Sequence, residues 1–158
     1  MTMRRRDKEI CTREEIDAVI RAAEVCHLAL ARGNEPYLVP VSFGYDGKAL
    51  YIHTAAKGRK IDFIEANNRV CFELEADVAL VRNEGEACEW TFSFQSVIGY
   101  GVIAELTRLD EKAHALNQIM RHYSGREWDI PGNRAATTRV WRIEIESVKG
   151  KRSEEKAL

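Results

Sequence analysis

The feature that most restricts the fold of this chain is a series of β-strand patterns joined by short connections. Residues 90–95 and 141–146 both alternate large apolar side chains with polar ones. A period of two places alternate side chains on opposite faces of a strand, as in a sheet with one buried face. Asp46-Gly47 is the best hairpin signal in the chain, because both residues tolerate positive φ.

Further runs predict strands over residues 28–31, 37–45, 50–54, 70–74 and 90–106, and a last strand over 141–145. Pro40 cannot donate to a ladder, so it indicates a sheet edge or a bulge in the second of these strands. Most strands follow one another as hairpins would, with only short helices between them, which favours an antiparallel sheet. The predicted fold class is mainly β, a β-barrel with peripheral helices, built as a single domain from residues 1–158.

Three helices are predicted between these strands. A capping box formed by Thr12 and Glu15 opens the first helix, whose buried stripe comprises Ile16, Val19, Ile20 and Ala23. The second helix is short and covers about residues 58–66. The third begins near Asp110, and the spacing predicts one shared apolar face for Ala113, Leu116, Met120 and Tyr123.

The charge balance argues against a nucleic-acid-binding protein. The chain carries 24 basic and 25 acidic side chains, for a net charge of −1, whereas such domains are usually clearly basic. The basic run Arg4-Arg5-Arg6 is followed by Asp7 and Glu9 and is interpreted as a solvated tail.

The sequence contains no run of about 18 apolar residues, the length needed to span a membrane. The N-terminus lacks the apolar segment of a secretory signal, so we expect a cytoplasmic protein.

The four cysteines are expected to be reduced, buried thiols. Cys26 and Cys71 lie in apolar strand-like runs, and neither Cys11 nor Cys88 belongs to a C-x-x-C pair. The alternative is a zinc site that uses these cysteines and His27, but no ligand pair has the spacing of a zinc finger. No metal is therefore predicted.

The most informative segment for chemistry runs from Leu50 to Ile61. A strand ends in the polar pair His53-Thr54, and a helix begins near Gly58. Exposed amides at a helix start, beside Arg59 and Lys60, provide a site for a phosphate dianion. The alternative for this segment is a solvated basic loop, and the alternative for His53 is an ordinary half-buried strand residue.

The segment Gly99-Tyr100-Gly101 fits the letters of a dinucleotide-binding fingerprint, which requires a strand before it and a helix after it. Residues 96–98 and 102–103 are rich in β-branched side chains, so we predict a strand throughout. Glycine inside a strand marks a bulge or the close approach of another backbone or a ligand.

The order of five segments resembles the FMN-binding split barrels of the pyridoxamine 5′-phosphate oxidase-like family, in particular the nitroimidazole-resistance branch. These segments are residues 26–30, 37–45, 50–62, 70–73 and 96–101. The resemblance implies a homodimer with two FMN molecules in clefts between the subunits. The backbone around Pro40 to Phe43 would line the flavin ring, and Thr54, Arg59 and Lys60 would bind the phosphate. The implied cofactor contacts are Pro40, Val41, Ser42, Phe43, His53, Thr54, Gly58, Arg59, Lys60, Ser96 and Val97.

The resemblance implies an FMN-dependent reductase that passes electrons from NAD(P)H to a small acceptor such as a nitro-aromatic, with His53 as proton donor. The alternatives are storage of flavin, binding of haem through His53 or His27, and a barrel without a cofactor. Residues 138–142 lack the histidine of the vitamin B6 oxidases, so oxidation of pyridoxamine phosphate is not expected. A lone barrel could hardly bury all its large aromatics, so Trp90, Phe92, Phe94 and Trp141 are expected at a two-fold interface.

Overall fold

The computed structural model describes residues 5–153, without the side chain of Arg6. Arg4 of the predicted basic tail therefore lies outside the described residues. Arg5 is exposed and forms a 2.7 Å ion pair with Asp7, as expected for a solvated segment. No helix within the described residues is long and apolar enough to cross a bilayer.

One antiparallel sheet dominates the fold, in the order β3-β2-β6-β7-β8-β5-β4, with β1 paired to β8. The ladder does not close in the described part of the chain, because β3 and β4 stand at its two ends. This arrangement confirms the mainly β, antiparallel prediction. The strands are β1 (Glu9–Ile10), β2 (Cys26–Arg32), β3 (Glu35–Val41), β4 (Gly44–Tyr45), β5 (Ala49–Thr54), β6 (Arg69–Val81), β7 (Thr91–Leu106) and β8 (Arg139–Ser153).

The predicted strand over residues 37–45 is split into β3 and β4. Pro40 lies in β3, which is an edge strand, so the prediction from its missing donor is confirmed. The chain then leaves β2 and pairs with β5 from Gly44 onward. A Cβ at Gly44 would lie 2.4 Å from the backbone of Gln118. At Gly44 the sheet therefore packs directly against the helix that contains Gln118.

Strand β6 extends seven residues beyond the predicted end at Leu74. Its ladder with β7 is interrupted by a bulge between Ala76 and Ala79, where Asp77 adopts φ +54°. Beyond the bulge, β6 and β7 form a two-stranded arm whose exposed apolar side chains are Val78, Leu80, Trp90 and Phe92. Glu75 and Asp77 interrupt the apolar run after Leu74, which concealed this extension in the sequence.

The helices are α1 (Arg13–Ala22), α2 (Arg59–Ala66), α3 (Leu109–Ser124) and α4 (Gly132–Thr137). The capping box of α1 is confirmed: the Glu15 amide donates to Thr12 Oγ1 at 3.3 Å, and this hydroxyl donates to Glu15 Oε2 at 2.8 Å. No sequence pattern had indicated the short helix α4.

The predicted apolar face of α3 is wrong. The helix buries Lys112, Ala115, Gln118 and Ile119 instead, while Tyr123 is 47% exposed. Lys112 is buried because its Nζ donates to the carbonyl of Ala136 at 3.1 Å, which ties α3 to α4. Lys112 and Gln118 interrupt the apolar spacing of the packed face, so this face could not be recognised from the sequence.

The main core lies between the sheet, α1 and α2, and contains Trp141. Trp141 is only 3% exposed and its indole Nε1 donates to Thr54 Oγ1 at 3.0 Å. Its expected place at a subunit interface is therefore wrong. Trp90 and Phe92, by contrast, are 44% and 52% exposed, and their interface role stays a prediction.

The cysteines differ in burial, which corrects the expectation that all four are buried. Cys26 is fully buried and Cys71 half-buried, whereas Cys11 and Cys88 are exposed. Burial raises the pKa of the Cys26 thiol to about 12 and, less strongly, that of Cys71.

We expect a thiol-reactive disulfide reagent at pH 8 to modify Cys11 and Cys88 first, and Cys26 only on unfolding. Mass spectrometry of the labelled peptides checks this order, and early labelling of Cys26 would contradict it.

Candidate functional site

The predicted phosphate site lies where β5 ends and α2 begins. A four-residue connection, 55–58, separates Thr54 from Arg59. Gly58 precedes the helix with φ +139° and provides no side-chain cap, so the first amides of α2 have no capping acceptor. A Cβ at Gly58 would have no neighbour within 4 Å. The amino end of α2 is therefore open and rich in unused donors.

Lys60 and Thr54 add side-chain donors to this end of α2. The Lys60 side chain is half-buried, and among the described residues it has no hydrogen-bond or ion-pair partner. Burial lowers the pKa of its ammonium group. The Thr54 hydroxyl accepts from Trp141, which leaves its own proton without an acceptor in residues 5–153. An ammonium group and a hydroxyl with free protons fit a phosphate, which presents only acceptors at neutral pH.

Arg59 has a different environment from Lys60. Its Nη2 lies 2.6 Å from Glu35 Oε1, and its guanidinium group stacks on the rings of Tyr37 and Phe63 at 5.1 and 5.5 Å. No sequence signal indicated Glu35 as a partner, because it lies 24 residues away at the start of β3. Arg59 can reach a ligand only if it leaves this carboxylate or shares its donors.

The segment from Pro40 to Phe43 presents alternate side chains to opposite sides. Pro40 and Ser42 are exposed, whereas Val41 and Phe43 are buried in the core at 7% and 0% exposure. The Phe43 amide donates to the Tyr123 hydroxyl at 3.1 Å. Val41 and Phe43 can therefore meet a ligand only through their main chain, and the amide of Phe43 is already engaged.

His53 is exposed and lies on the opposite face of β5 from Thr54. The β4–β5 ladder pairs Gly44 with Tyr51 and Tyr45 with Leu50, so His53 lies two residues beyond its last pair. No hydrogen bond engages the His53 imidazole within the described part of the chain. The His53 side chain is thus solvent-exposed at the end of β5, while the Thr54 hydroxyl is bonded to the indole of Trp141.

Ser96 and Val97 lie far from Thr54 within one protomer. Val97 is fully buried, and Ser96 faces the outer side of the sheet opposite Lys151 of β8. Thr54 lies opposite Arg139 of the same strand. Arg139 and Lys151 are twelve positions apart, which corresponds to about 40 Å of extended strand. This separation along β8 argues against contact of both Thr54 and Ser96 of one chain with the same phosphate group.

Two surface clefts lie outside the predicted site. One of about 290 Å³ is lined by Tyr51, Leu106, Asp110, Glu111, His114 and Arg142. The other, of about 560 Å³, lies beside His27, whose Nδ1 is 3.1 Å from Glu73 Oε2. Neither cleft is lined by a predicted flavin contact, although His27, the alternative haem ligand, lines the second one. Among residues 5–153, no three His, Cys, Asp or Glu side chains are grouped as metal ligands would be.

Comparisons with known proteins support the fold. The solved structure of a candidate 5-nitroimidazole antibiotic resistance protein from Bacteroides thetaiotaomicron is 28% identical, with a TM-score of 0.79 over 92% of this chain and 90% of that one. An FAD-binding protein from Mesorhizobium loti is 26% identical, with a TM-score of 0.65 over 91% of this chain and 96% of that one. The flavocytochrome Anf3 from Azotobacter vinelandii, at 19% identity, has a TM-score of 0.79 over 97% of this chain and 72% of that one.

A curated relative and a family model cover different lengths of the chain. An uncharacterized protein from Rhizobium meliloti (strain 1021) is 32% identical over 65 residues, which span 41% of this chain and 42% of the relative. The model of the pyridoxamine 5′-phosphate oxidase family matches residues 12–152, which include the whole sheet from β2 to nearly the end of β8. This match, together with the antiparallel split-barrel fold, shows that the chain belongs to the pyridoxamine 5′-phosphate oxidase family.

Proposed function

We propose that this chain is a cytoplasmic, homodimeric FMN-dependent oxidoreductase that reduces a small acceptor, such as a nitro-aromatic, with electrons from NAD(P)H. Two relatives above 25% identity support the proposal: one is described as a candidate nitroimidazole resistance protein and the other as FAD-binding. The lower-identity flavocytochrome supports the fold alone.

The observation that carries the proposal is the set of unused donors where β5 meets α2. The Lys60 ammonium group, the Thr54 hydroxyl and the first two amides of α2 have no acceptors among the described residues, whereas the Ile61 amide already donates to the carbonyl of Gly58 at 2.8 Å. Buried or half-buried donors are normally paired. A flavin phosphate would satisfy them, and its charge would also offset the cost of keeping Lys60 half-buried.

The separation of Ser96 and Thr54 along β8 and the outer face of the sheet both support a homodimer. If both residues contact FMN, they belong to different subunits. The outer face carries a row of apolar side chains across strands β3, β2, β6 and β7. In that order, the row consists of Leu38, Ala29, Cys71 and Tyr100, each paired with the next. Leu38 is 64% exposed and Tyr100 41%. A second copy of the chain on this face would cover the row.

The chemistry divides between the cofactor and the chain. FMN bound here would supply two-electron transfer between NAD(P)H and the acceptor. Lys60, Thr54 and the amides of α2 would fix its phosphate, and His53 would hold a proton at the end of β5. Reduction of a nitro group to a nitroso group consumes NAD(P)H and one further proton and releases NAD(P)⁺ and water. His53 is the residue that would provide that proton to the acceptor oxygen.

The absorption spectrum and turnover of the purified, FMN-loaded protein test this function. A bound flavin band together with NAD(P)H-dependent nitro-aromatic reduction supports the proposal. A flavin band without turnover indicates a flavin-storage protein instead. A Soret band favours the haem-binding alternative, and a protein that takes up neither group contradicts the proposal entirely.

Replacement of Lys60 by alanine is expected to weaken FMN binding by about 10- to 100-fold, because one charge-assisted phosphate contact is lost. Riboflavin, which has no phosphate, should bind wild-type protein comparably worse than FMN and should be insensitive to the substitution. Fluorescence titration of both flavins measures these constants. Lys48→Ala, at an exposed lysine in the 46–48 turn, is the matched control. Equal wild-type affinity for FMN and riboflavin would contradict the assignment of this phosphate site.

A further inference from the structure

Glu35 is held between two arginines at the end of the β2–β3 hairpin. Its Oε2 accepts from Arg32 Nη2 at 2.9 Å, and its Oε1 accepts from Arg59 Nη2 at 2.6 Å. The hydrogen bond from Arg32, with a further contribution from Arg59, lowers the pKa of the Glu35 carboxyl. Glu35 therefore stays ionised at neutral pH. It has two guanidinium partners, although one would balance its charge.

The two guanidinium groups share an aromatic platform. Arg32 stacks on the Phe63 ring at 4.8 Å, and Arg59 stacks on Phe63 and Tyr37 at 5.5 and 5.1 Å. Stacking keeps both groups close to Glu35 without using their N–H donors. All three charged side chains are 43–59% exposed. Ion pairs of this kind contribute little to stability and exchange readily.

We propose that Glu35 competes with the flavin phosphate for Arg59, and that Arg32 retains Glu35 when Arg59 turns to the phosphate. This inference rests on the proposed binding of FMN at the amino end of α2, which begins at Arg59. The two-partner arrangement lowers the cost of the exchange, because Glu35 keeps one guanidinium group throughout. Glu35 and Arg32 are thus positioning residues that set how available Arg59 is, without touching the cofactor themselves.

The proposal predicts opposite effects for the two positions. Glu35→Gln frees Arg59 and should tighten FMN binding about two- to five-fold, the range that corresponds to one exposed ion pair. Arg32→Gln leaves Arg59 as the sole partner of Glu35 and should weaken FMN binding by a similar factor. Riboflavin affinity should change in neither variant, because riboflavin has no phosphate to exchange.

A double-mutant cycle separates this exchange from a general effect of charge. FMN and riboflavin affinities are measured by fluorescence titration for wild-type protein, Glu35→Gln, Arg59→Gln and the double variant. If Glu35 acts through Arg59, Glu35→Gln should have no effect on FMN binding in the Arg59→Gln background. If a tightening of the same size persists there, Glu35 acts by simple repulsion of the phosphate and the proposal is overturned.

The ion pair between Arg69 and Glu146 provides a matched control. It is 2.7 Å long, its side chains are 62% and 42% exposed, and it lies outside the proposed site. Glu146→Gln and Arg69→Gln should leave both flavin affinities unchanged. FMN binding that is unaltered by Glu35→Gln, or riboflavin binding that tightens equally, overturns this inference alone. Wild-type protein that fails to bind FMN overturns the proposed function as well.

Discussion

Replacement of Gly101 by alanine is expected to destabilise the fold by about 3 kcal/mol, at the upper end of the cost of overpacking a core. The reason is the close approach of β7 and β8 at the bulge between Tyr100 and Gly101. A Cβ at Gly101 would lie 2.2 Å from the carbonyl oxygen of Glu144 and 3.1 Å from its carbonyl carbon. Backbone atoms in a paired ladder cannot move aside as a side chain can, so the strands would have to separate locally.

Urea unfolding followed by circular dichroism measures this loss. Gly132→Ala is the control, because a Cβ there has no neighbour within 4 Å and the residue begins α4; its effect should stay within about 0.5 kcal/mol. The loss of stability caused by Gly99→Ala should lie between these two values. Its Cβ would lie 2.1 Å from the Phe72 ring, and a ring can shift where a paired backbone cannot. A Gly101→Ala protein as stable as wild type would show that the strands have more freedom here than the ladder suggests.

These glycines illustrate what could be predicted from the sequence. Gly99-Tyr100-Gly101 has the letters of a nucleotide-binding loop, yet its β-branched neighbours predict a strand, and the structure confirms that strand and its bulge. Strong local signals such as the Thr12 capping box and the Asp46-Gly47 hairpin were also reliable. The buried face of α3 was not predictable in the same way, because Lys112 is buried only through a bond to Ala136, and such a contact depends on the tertiary fold.

The candidate site was predictable in its residue types but not in its arrangement. The segment from His53 to Lys60 could be identified because a strand, a loop and a helix start bring polar donors together. Nothing local indicated that Glu35 would engage Arg59, that Trp141 would bind Thr54, or that Ser96 would lie about 40 Å along the sheet from Thr54. Those relations depend on strand register and sheet order, which a pattern in one segment does not encode.

Replacement of His53 by alanine is expected to lower nitro-acceptor turnover by about 10²- to 10⁴-fold while FMN stays bound, the usual range for loss of a general acid. An imidazole titrates near neutral pH and can therefore donate a proton under working conditions. His53 is exposed, has no hydrogen-bond partner among residues 5–153, and lies at the end of β5, two residues beyond the Gly44–Tyr51 pair. It is thus free to reach an acceptor bound at this end of β5.

A packing role for His53 predicts a different result. If the ring only shapes the site, His53→Ala should change the affinity for FMN or acceptor and leave turnover per bound flavin nearly intact. His114→Ala is the matched control, because His114 is also exposed but lies on α3 beside the 290 Å³ cleft. Turnover measured for both variants under the same FMN-saturating conditions separates a loss of rate from a loss of bound cofactor. Full turnover in FMN-loaded His53→Ala would exclude His53 from proton transfer and leave solvent as the proton source.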